Sequence, residues 1–279
     1  MRSVFTRRIR RAIQFSLLSY ALIGIVGYYC QDYLLLHPVP LQADDNYTLT
    51  QQHKELQLPV DDHTSFHFIQ FSEADSGSKG VILYFHGNRE NINRYARFAP
   101  MFTSEGYEVW MADYPGFGKA RGKATEELMY EEAKQLYLLA RKKYRPDQII
   151  VYGKSIGTGV AAYLASIRDC RDLVLETPYH SIASLLRPIL GIYPLQKLLH
   201  FQFPTYQYLP LVKAPITILH GTDDGVIRYK NAQQLLPLLK PADQFITIDG
   251  GAHNNLADYP LFKKTIKEVL NRPVNESGN

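Results

Sequence analysis

The stretch Asp147-Gln-Ile-Ile-Val-Tyr-Gly-Lys-Ser-Ile-Gly-Thr-Gly-Val-Ala-Ala-Tyr-Leu-Ala-Ser166 decides the fold. Gln148 to Tyr152 is a short β-rich run, a turn framed by glycines follows it, and the small residues behind predict a helix. At the junction stands Gly153-Lys154-Ser155-Ile156-Gly157, a G-x-S-x-G pattern. A serine at its centre is forced onto a sharp strand-to-helix turn, with its hydroxyl at the carboxyl end of a sheet. Glycines flank it because a Cβ at either position is expected to collide where the helix folds back over the strand. The start of that helix offers unpaired backbone N–H groups to an anion developing beside the serine.

Three other readings compete. A plain strand-to-helix turn carries G-x-S-x-G by chance. Gly153-Lys154-Ser155 also looks like the end of a P-loop, but that motif needs a glycine five residues before Gly153, where Gln148 stands. Gly157-x-Gly159-x-x-Ala162, with Glu176 ending the next expected strand, has the outline of a dinucleotide-binding turn. There the first glycine should follow the strand at once, and Gly157 comes several residues late.

Outward from this centre the pattern alternates. His53 to Val60 and Ser65 to Phe71 alternate as strands joined at Asp61-Asp62-His63, and Ser72 to Lys79 is a soluble turn. Gly80-Val-Ile-Leu-Tyr-Phe-His-Gly-Asn88 begins as a continuous apolar run, hence a strand buried on both faces. It ends in His86-Gly87-Asn88-Arg89, and Asn91 is placed to cap a helix reaching about Ser104. Glu108 to Ala112 is a second buried strand, leading into Asp113-Tyr-Pro-Gly-Phe-Gly118. Thr125 to Lys143 reads as an amphipathic helix with a basic end. Beyond the serine helix, Arg171 to Glu176, Ile216 to His220 and Gln244 to Ile248 read as strands. Gln233 to Leu239 and Asp258 to Asn271 read as helices, and Asn275 to Asn279 as a frayed tail. Strands and helices alternating at this rhythm predict an α/β domain over 51–272, a mostly parallel sheet covered on both faces. In such sheets chemistry gathers at the carboxyl ends of the strands.

The N-terminus is of another kind. Ala12 to Cys30 carries no charged residue and is just long enough to cross a bilayer. The net charge of +4 is concentrated ahead of it, in Arg2, Arg7, Arg8, Arg10 and Arg11; setting those five aside leaves 26 basic residues against 27 acidic ones. That balance excludes a nucleic-acid footprint. The positive-inside rule predicts a signal anchor at 12–30, with the basic residues 1–11 cytoplasmic and the rest of the chain on the other side. A cleavable signal peptide is the alternative, but no small-x-small site precedes a plausible cut. Residues 31–50, opening with the proline-marked His37-Pro-Val-Pro40, read as a linker too irregular to pack. Two cysteines without partner spacing argue against a disulfide framework or a zinc site. Asn46-Tyr-Thr48 and Asn275-Glu-Ser277 fit glycosylation acceptors.

A serine hydroxyl is a poor nucleophile unless a base takes its proton, and the base needs a carboxylate to hold its tautomer. The expected chain order is serine, acid, histidine. One histidine lies beyond the late acids: His253, in Gly250-Gly-Ala-His-Asn254 just after the Gln244–Ile248 run. Asp223 and Asp224 both follow the Ile216–His220 run, and spacing does not choose between them. Asp249 precedes the histidine loop and reads as a turn residue.

These segments resemble the α/β-hydrolases. His220-Gly-Thr-Asp-Asp-Gly-Val-Ile227 is similar to that family's histidine-glycine-x-x-aspartate-x-x-valine segment. Phe85-His-Gly-Asn88, Asp113-Tyr-Pro-Gly-Phe-Gly118, Gly153-Lys-Ser-Ile-Gly157 and Gly250-Gly-Ala-His253 fit it in order, over about residues 80 to 270. Within the family the chain resembles the membrane-anchored ABHD12/13/17-like group and its Bem46-type relatives. The resemblance implies an α/β-hydrolase fold and a serine hydrolase in which Ser155 is the nucleophile, His253 the base and Asp224 the acid. It also implies an oxyanion hole made by the backbone N–H of Ile156 and by that of Asn88 or Arg89, with His86 bracing the loop. Two departures stand out: Pro115 replaces the family's arginine, and Ala120 its serine.

The insertion Tyr179 to Leu211 is rich in leucine, proline and aromatic residues and falls where this family carries a lid. It reads either as helices that bury core or as an acyl-binding cover. Beside a membrane anchor it favours an acyl ester or thioester substrate, such as a lysophospholipid or a lipidated protein. A peptidase or amidase with the same three residues is the enzymatic alternative, and a non-catalytic membrane-anchored scaffold the other. No residue calls for a metal, nucleotide or other cofactor.

Overall fold

The computed structural model describes residues 2–72 and 77–273. Eight strands make one sheet: β1 His53–Pro59, β2 Ser65–Phe71, β3 Gly80–Phe85, β4 Tyr107–Asp113, β5 Ile149–Lys154, β6 Asp172–Glu176, β7 Ile216–Gly221 and β8 Gln244–Ile248. Their order across the sheet is β8-β7-β6-β5-β3-β4-β2-β1. β2 runs antiparallel to both β1 and β4, and the other neighbours are parallel. Strands β3, β5, β6 and β7 are buried along their whole length. Helices cover both of their faces, so their central residues are mainly apolar, as in Leu173-Val-Leu175. The longer helices are α1 Arg2–Leu35, α2 Glu126–Arg141, α3 Gly157–Ile167, α4 Ile182–Leu190 and α5 Pro260–Leu270. One core layer joins Leu136 of α2 and Val160 and Leu164 of α3 to the sheet. The other joins Phe102 to Phe262 and Ile266 of α5 on the opposite face.

Local sequence accounts for most boundaries. Thr125 caps α2 by accepting the Leu128 N–H at 3.1 Å, with Glu126 and Glu127 in the first turn where the helix dipole favours acids. Asn91 caps its helix as expected, accepting the Asn93 N–H. The helix expected to run on to about Ser104 instead breaks into Ile92–Tyr95, a 3-10 turn at Ala96–Phe98 and Pro100–Thr103. Pro100 has no N–H for the carbonyl four residues back, so a continuous α-helix cannot form. Gln233–Leu239 fails as an α-helix for a similar reason: Pro237 sits inside what is a 3-10 helix, Gln233–Leu238. The last helix starts at Pro260 rather than Asp258, proline serving at its first position.

At the N-terminus the charge-free span lies within a longer helix, and one expectation, the linker, is corrected. The helix is longer than residues 12–30: α1 runs to Leu35, about 50 Å at 1.5 Å per residue. Its segment Arg7–Leu35 is a candidate membrane span and is not buried inside the protein. The region 31–50 is not a loose linker. Leu36 and Tyr47 are buried, and His37–Pro38 pairs in parallel with Arg89–Glu90. The Tyr47 hydroxyl donates to Asp113 Oδ2 at 2.6 Å and accepts the Lys119 N–H at 3.0 Å. Proline and polar residues did mark irregular backbone here, but its polar groups are spent on the loops at the carboxyl end of the sheet. The middle of the Ser72–Lys79 turn, the tail from Val274 and the acceptor at Asn275 lie outside the described residues; Asn46 is exposed.

The insertion 179–211 carries α4, short helices at Leu195–Leu198 and Thr205–Tyr208 and a 3-10 turn at Leu209–Leu211. Its base belongs to the core, where Tyr179, Phe201 and Phe203 are buried. Glu126 holds that base down: its carboxylate accepts the N–H groups of Gln202 and Phe203 and the Tyr130 hydroxyl.

Elsewhere on α2, Glu132 is fully buried, and neither of its carboxyl oxygens finds a hydrogen-bond partner among the described residues. Burial, aided by the charge of Asp113, raises its pKa well above the ordinary glutamate value. The native state therefore keeps a proton that the unfolded chain loses above about pH 4.3, so this residue lowers stability as pH rises. Glu132→Gln is expected to raise Tm clearly at pH 8 and much less at pH 5, measured by thermal unfolding in detergent. Equal shifts at both pH values would refute a protonated native Glu132.

Candidate active site

Ser155 occupies the turn from β5 to α3 with φ 54°, a left-handed conformation that costs a non-glycine residue about 1–3 kcal/mol. Neighbouring strands hold it there. Its N–H donates to the carbonyl of Glu176 at the end of β6 at 2.9 Å, and its own carbonyl accepts the Thr158 N–H and hydroxyl. A Cβ on Gly153 would stand 2.5 Å from the Gly157 carbonyl oxygen, the expected collision with the returning helix. A Cβ on Gly157 would instead strike the Phe85 carbonyl at the end of β3. The second glycine thus lets α3 start against the neighbouring strand, which the motif alone did not reveal.

The structure brings Ser155, His253 and Asp224 together from three strand ends. His253 Nε2 lies 2.9 Å from Ser155 Oγ, and its Nδ1 lies 2.7 Å from Asp224 Oδ2. With a carboxylate facing Nδ1 the proton belongs there, which leaves Nε2 free to accept from the serine. Asp224 Oδ1 accepts the N–H groups of Val226 and Ile227, each at 2.8 Å. Burial alone would raise the Asp224 pKa, but the hydrogen bond and charge of His253 and those two N–H groups outweigh it and hold the carboxyl below its ordinary value. All three residues are buried. Asp223 and Asp249 are exposed, so geometry separates the adjacent aspartates where spacing did not.

The loop after β3 closes on the same point. A Cβ on Gly87 would lie 3.6 Å from the Ser155 Cβ, so Asn88 and Arg89 follow directly beside Ser155. The N–H of Arg89 turns to the Tyr95 hydroxyl, and the Asn88 side chain donates to the Leu35 carbonyl at 2.6 Å. The N–H of Arg89 is thus engaged within its own loop. His86 braces the loop: Nδ1 donates to the Gly87 carbonyl at 2.7 Å, and Nε2 faces Asp113 Oδ1 at 3.3 Å. Tyr114 donates to the His86 carbonyl at 2.9 Å, a hold that Pro115 and Ala120 do not enter.

Sequence reasoning missed the ion pair under the turn. Lys154 and Glu176 are partnered and both 3 % exposed, and the Tyr152 hydroxyl donates to the same carboxylate at 2.6 Å. The signal was present: Lys154 ends a wholly apolar strand and needs an acid, and strand register sets Glu176 opposite it. Glu176 is thereby a lysine partner rather than the ribose-binding acid of the dinucleotide reading.

The family described as serine aminopeptidase, S33 matches residues 76–211. The alpha/beta hydrolase domain-containing protein 17C of Xenopus laevis is 27 % identical over 217 residues, covering 76 % of this chain and 68 % of that protein. Protein 17B of Homo sapiens is 26 % identical over 208 residues, covering 73 % and 70 %. Among solved structures, a Pyrococcus furiosus esterase superposes with a TM-score of 0.65 at 18 % identity, covering 86 % of this chain and 98 % of its own. A cold-adapted esterase from an Arctic intertidal metagenomic library gives 0.60 at 16 %, covering 83 % and 98 %.

Breaking a buried pair on one side leaves a bare charge, which costs about 3–5 kcal/mol, whereas removing both charges is close to neutral. Glu176→Gln is expected to lose that much stability in chemical denaturation, and adding Lys154→Met to restore most of it. A double variant as unstable as the single one would contradict this account.

Proposed function

Since the chain is a member of the α/β-hydrolase superfamily, in the group of the alpha/beta hydrolase domain-containing 17 proteins, we propose that it is a serine hydrolase cleaving acyl esters through a Ser155–His253–Asp224 triad. The reading rests on one observation, the unbroken hydrogen-bonded line from Asp224 through His253 to Ser155. Ser155 Oγ attacks the ester carbonyl as His253 Nε2 takes its proton, and the charged imidazolium is stabilised by Asp224. The tetrahedral oxygen sits between the N–H groups of Ile156 and Asn88, where two aimed donors contribute several kcal/mol. His253 then returns the proton to the leaving alcohol, and water releases the acyl group by the same steps. Because Asp224 is held ionised by its partners, it orients His253 without itself exchanging the proton.

We take α1 as an anchor, with its arginines on the cytoplasmic side and the catalytic domain on the other, from the charge-free span behind them. An oxygen or thiol leaving group suits this site equally, so thioesters belong to the same proposal. The aminopeptidase description of the matching family favours amide cleavage as the second reading. It differs from the first in requiring His253 to protonate an amine.

A fluorophosphonate probe is expected to label the wild type and not Ser155→Ala. On p-nitrophenyl esters, Ser155→Ala is expected to lose about 10⁴-fold or more in kcat, and Asp224→Asn a similar factor with the fold intact. An unlabelled, folded wild type would leave the scaffold reading standing. Faster turnover of aminoacyl anilides than of esters would select the amidase.

A further inference from the structure

Between α1 and the insertion lies a cavity of about 580 Å³, within the roughly 300–1,000 Å³ of small-molecule sites. One wall is the stripe of α1 from Leu22 to Leu35, and the other runs along the insertion from Ile182 to Phe201. Two clamps hold these walls together. At one end the rings of Tyr20 and Tyr193 stack at 4.4 Å, and the Tyr193 hydroxyl donates to the Tyr20 carbonyl at 2.7 Å. At the other, the Gln31 side chain donates to the Leu198 carbonyl at 3.0 Å and accepts the His200 N–H at 2.7 Å, while Asp32 pairs with His200 and Lys123. From Tyr20 to Gln31 is about 16 Å of helix.

Between the clamps the helix presents Gly24 and Gly27. Gly24 packs on the Tyr193 ring, but a Cβ on Gly27 would meet nothing within 4 Å. Among the described residues the walls are mainly apolar; the Gln31 amide is already bonded in both senses and the Tyr193 hydroxyl to Tyr20. A gap of this kind forfeits dispersion contacts and offers water too few partners, so it suits an apolar occupant. The same edge of the insertion turns outward Ile189 and Ile192, 81 % and 73 % exposed, beside a helix long and apolar enough to span a bilayer. At its inner end the cleft reaches Leu35, whose carbonyl is held by Asn88, the residue after the glycine that abuts Ser155.

Resting on the hydrolase reading above, we propose that this cleft binds the long acyl chain of the ester, drawn sideways from the bilayer, so that its carbonyl arrives at Ser155. The anchor then forms half of the acyl site, and chain length is read between α1 and α4.

The test uses the full-length protein in detergent micelles. Gly27→Trp fills the cleft from a position with room for it. The ratio of kcat/KM for p-nitrophenyl palmitate over p-nitrophenyl butyrate is expected to fall at least tenfold, with fluorophosphonate labelling of Ser155 as the folding control. A ratio unchanged within twofold overturns the proposal. Separately, a diazirine-bearing palmitic acid is irradiated with the Ser155→Ala protein. Cross-links on α1 between Leu22 and Leu35 or on α4, lost in the Gly27→Trp, Ser155→Ala protein, support it; cross-links elsewhere overturn it. Cross-linking in the cleft by a protein whose wild type cleaves no ester would sink the hydrolase reading and leave the acyl site in place. Ester cleavage without cross-linking there would do the reverse.

Discussion

The left-handed backbone at Ser155 is the constraint on which the rest of the site depends. It turns the chain from strand to helix within one residue, and it is tolerable only because its neighbours leave no alternative. The Glu176 carbonyl takes the serine N–H, Gly157 lies against the Phe85 carbonyl, and Lys154 is anchored to Glu176 beneath. Three strand ends therefore converge on one residue before any chemistry is considered. Strain of this sort is retained where the surroundings overdetermine it.

A second dependence runs through Asp113. One oxygen faces His86 and accepts the Ile92 N–H at 2.8 Å; the other takes the Tyr47 hydroxyl. A single buried carboxylate thus ties the loop beside Ser155 to the helix start behind it and to the segment that descends from α1. His67 approaches the same Tyr47 hydroxyl at 3.2 Å and extends the network to Glu55 on β1. Such networks are costly when incomplete, which makes this one a means of specifying a single loop geometry.

Much of this was legible in the sequence because the signals are local. Gly-x-Ser-x-Gly encodes its own turn, apolar runs encode buried strands, and Thr125 and Asn91 encode helix starts. What was not legible depends on contacts between distant segments. Proline at 100 and 237 was present to be read, yet the helical periodicity around each masked it. Tyr47 looked like a linker residue because nothing near it in sequence announces Asp113. Asp223 and Asp224 could be ranked only by resemblance, since the choice turns on which side chain meets His253 across the cleft. The Lys154–Glu176 pair lay within reach, because a charge ending an apolar strand always needs an explanation.

The Asn88-to-Leu35 hydrogen bond carries a consequence for modularity. Anchors of single-pass proteins are commonly treated as tethers that can be exchanged or removed at will. Here the last turn of α1 ends on the loop beside Ser155, and Leu36 continues directly into the core. No clean seam separates α1 from the α/β domain. A chain started after Leu35 would strip one wall from the insertion, expose the apolar face of α4 and free the loop that carries Asn88. The boundary drawn by hydropathy and the boundary drawn by packing are, in this protein, different places.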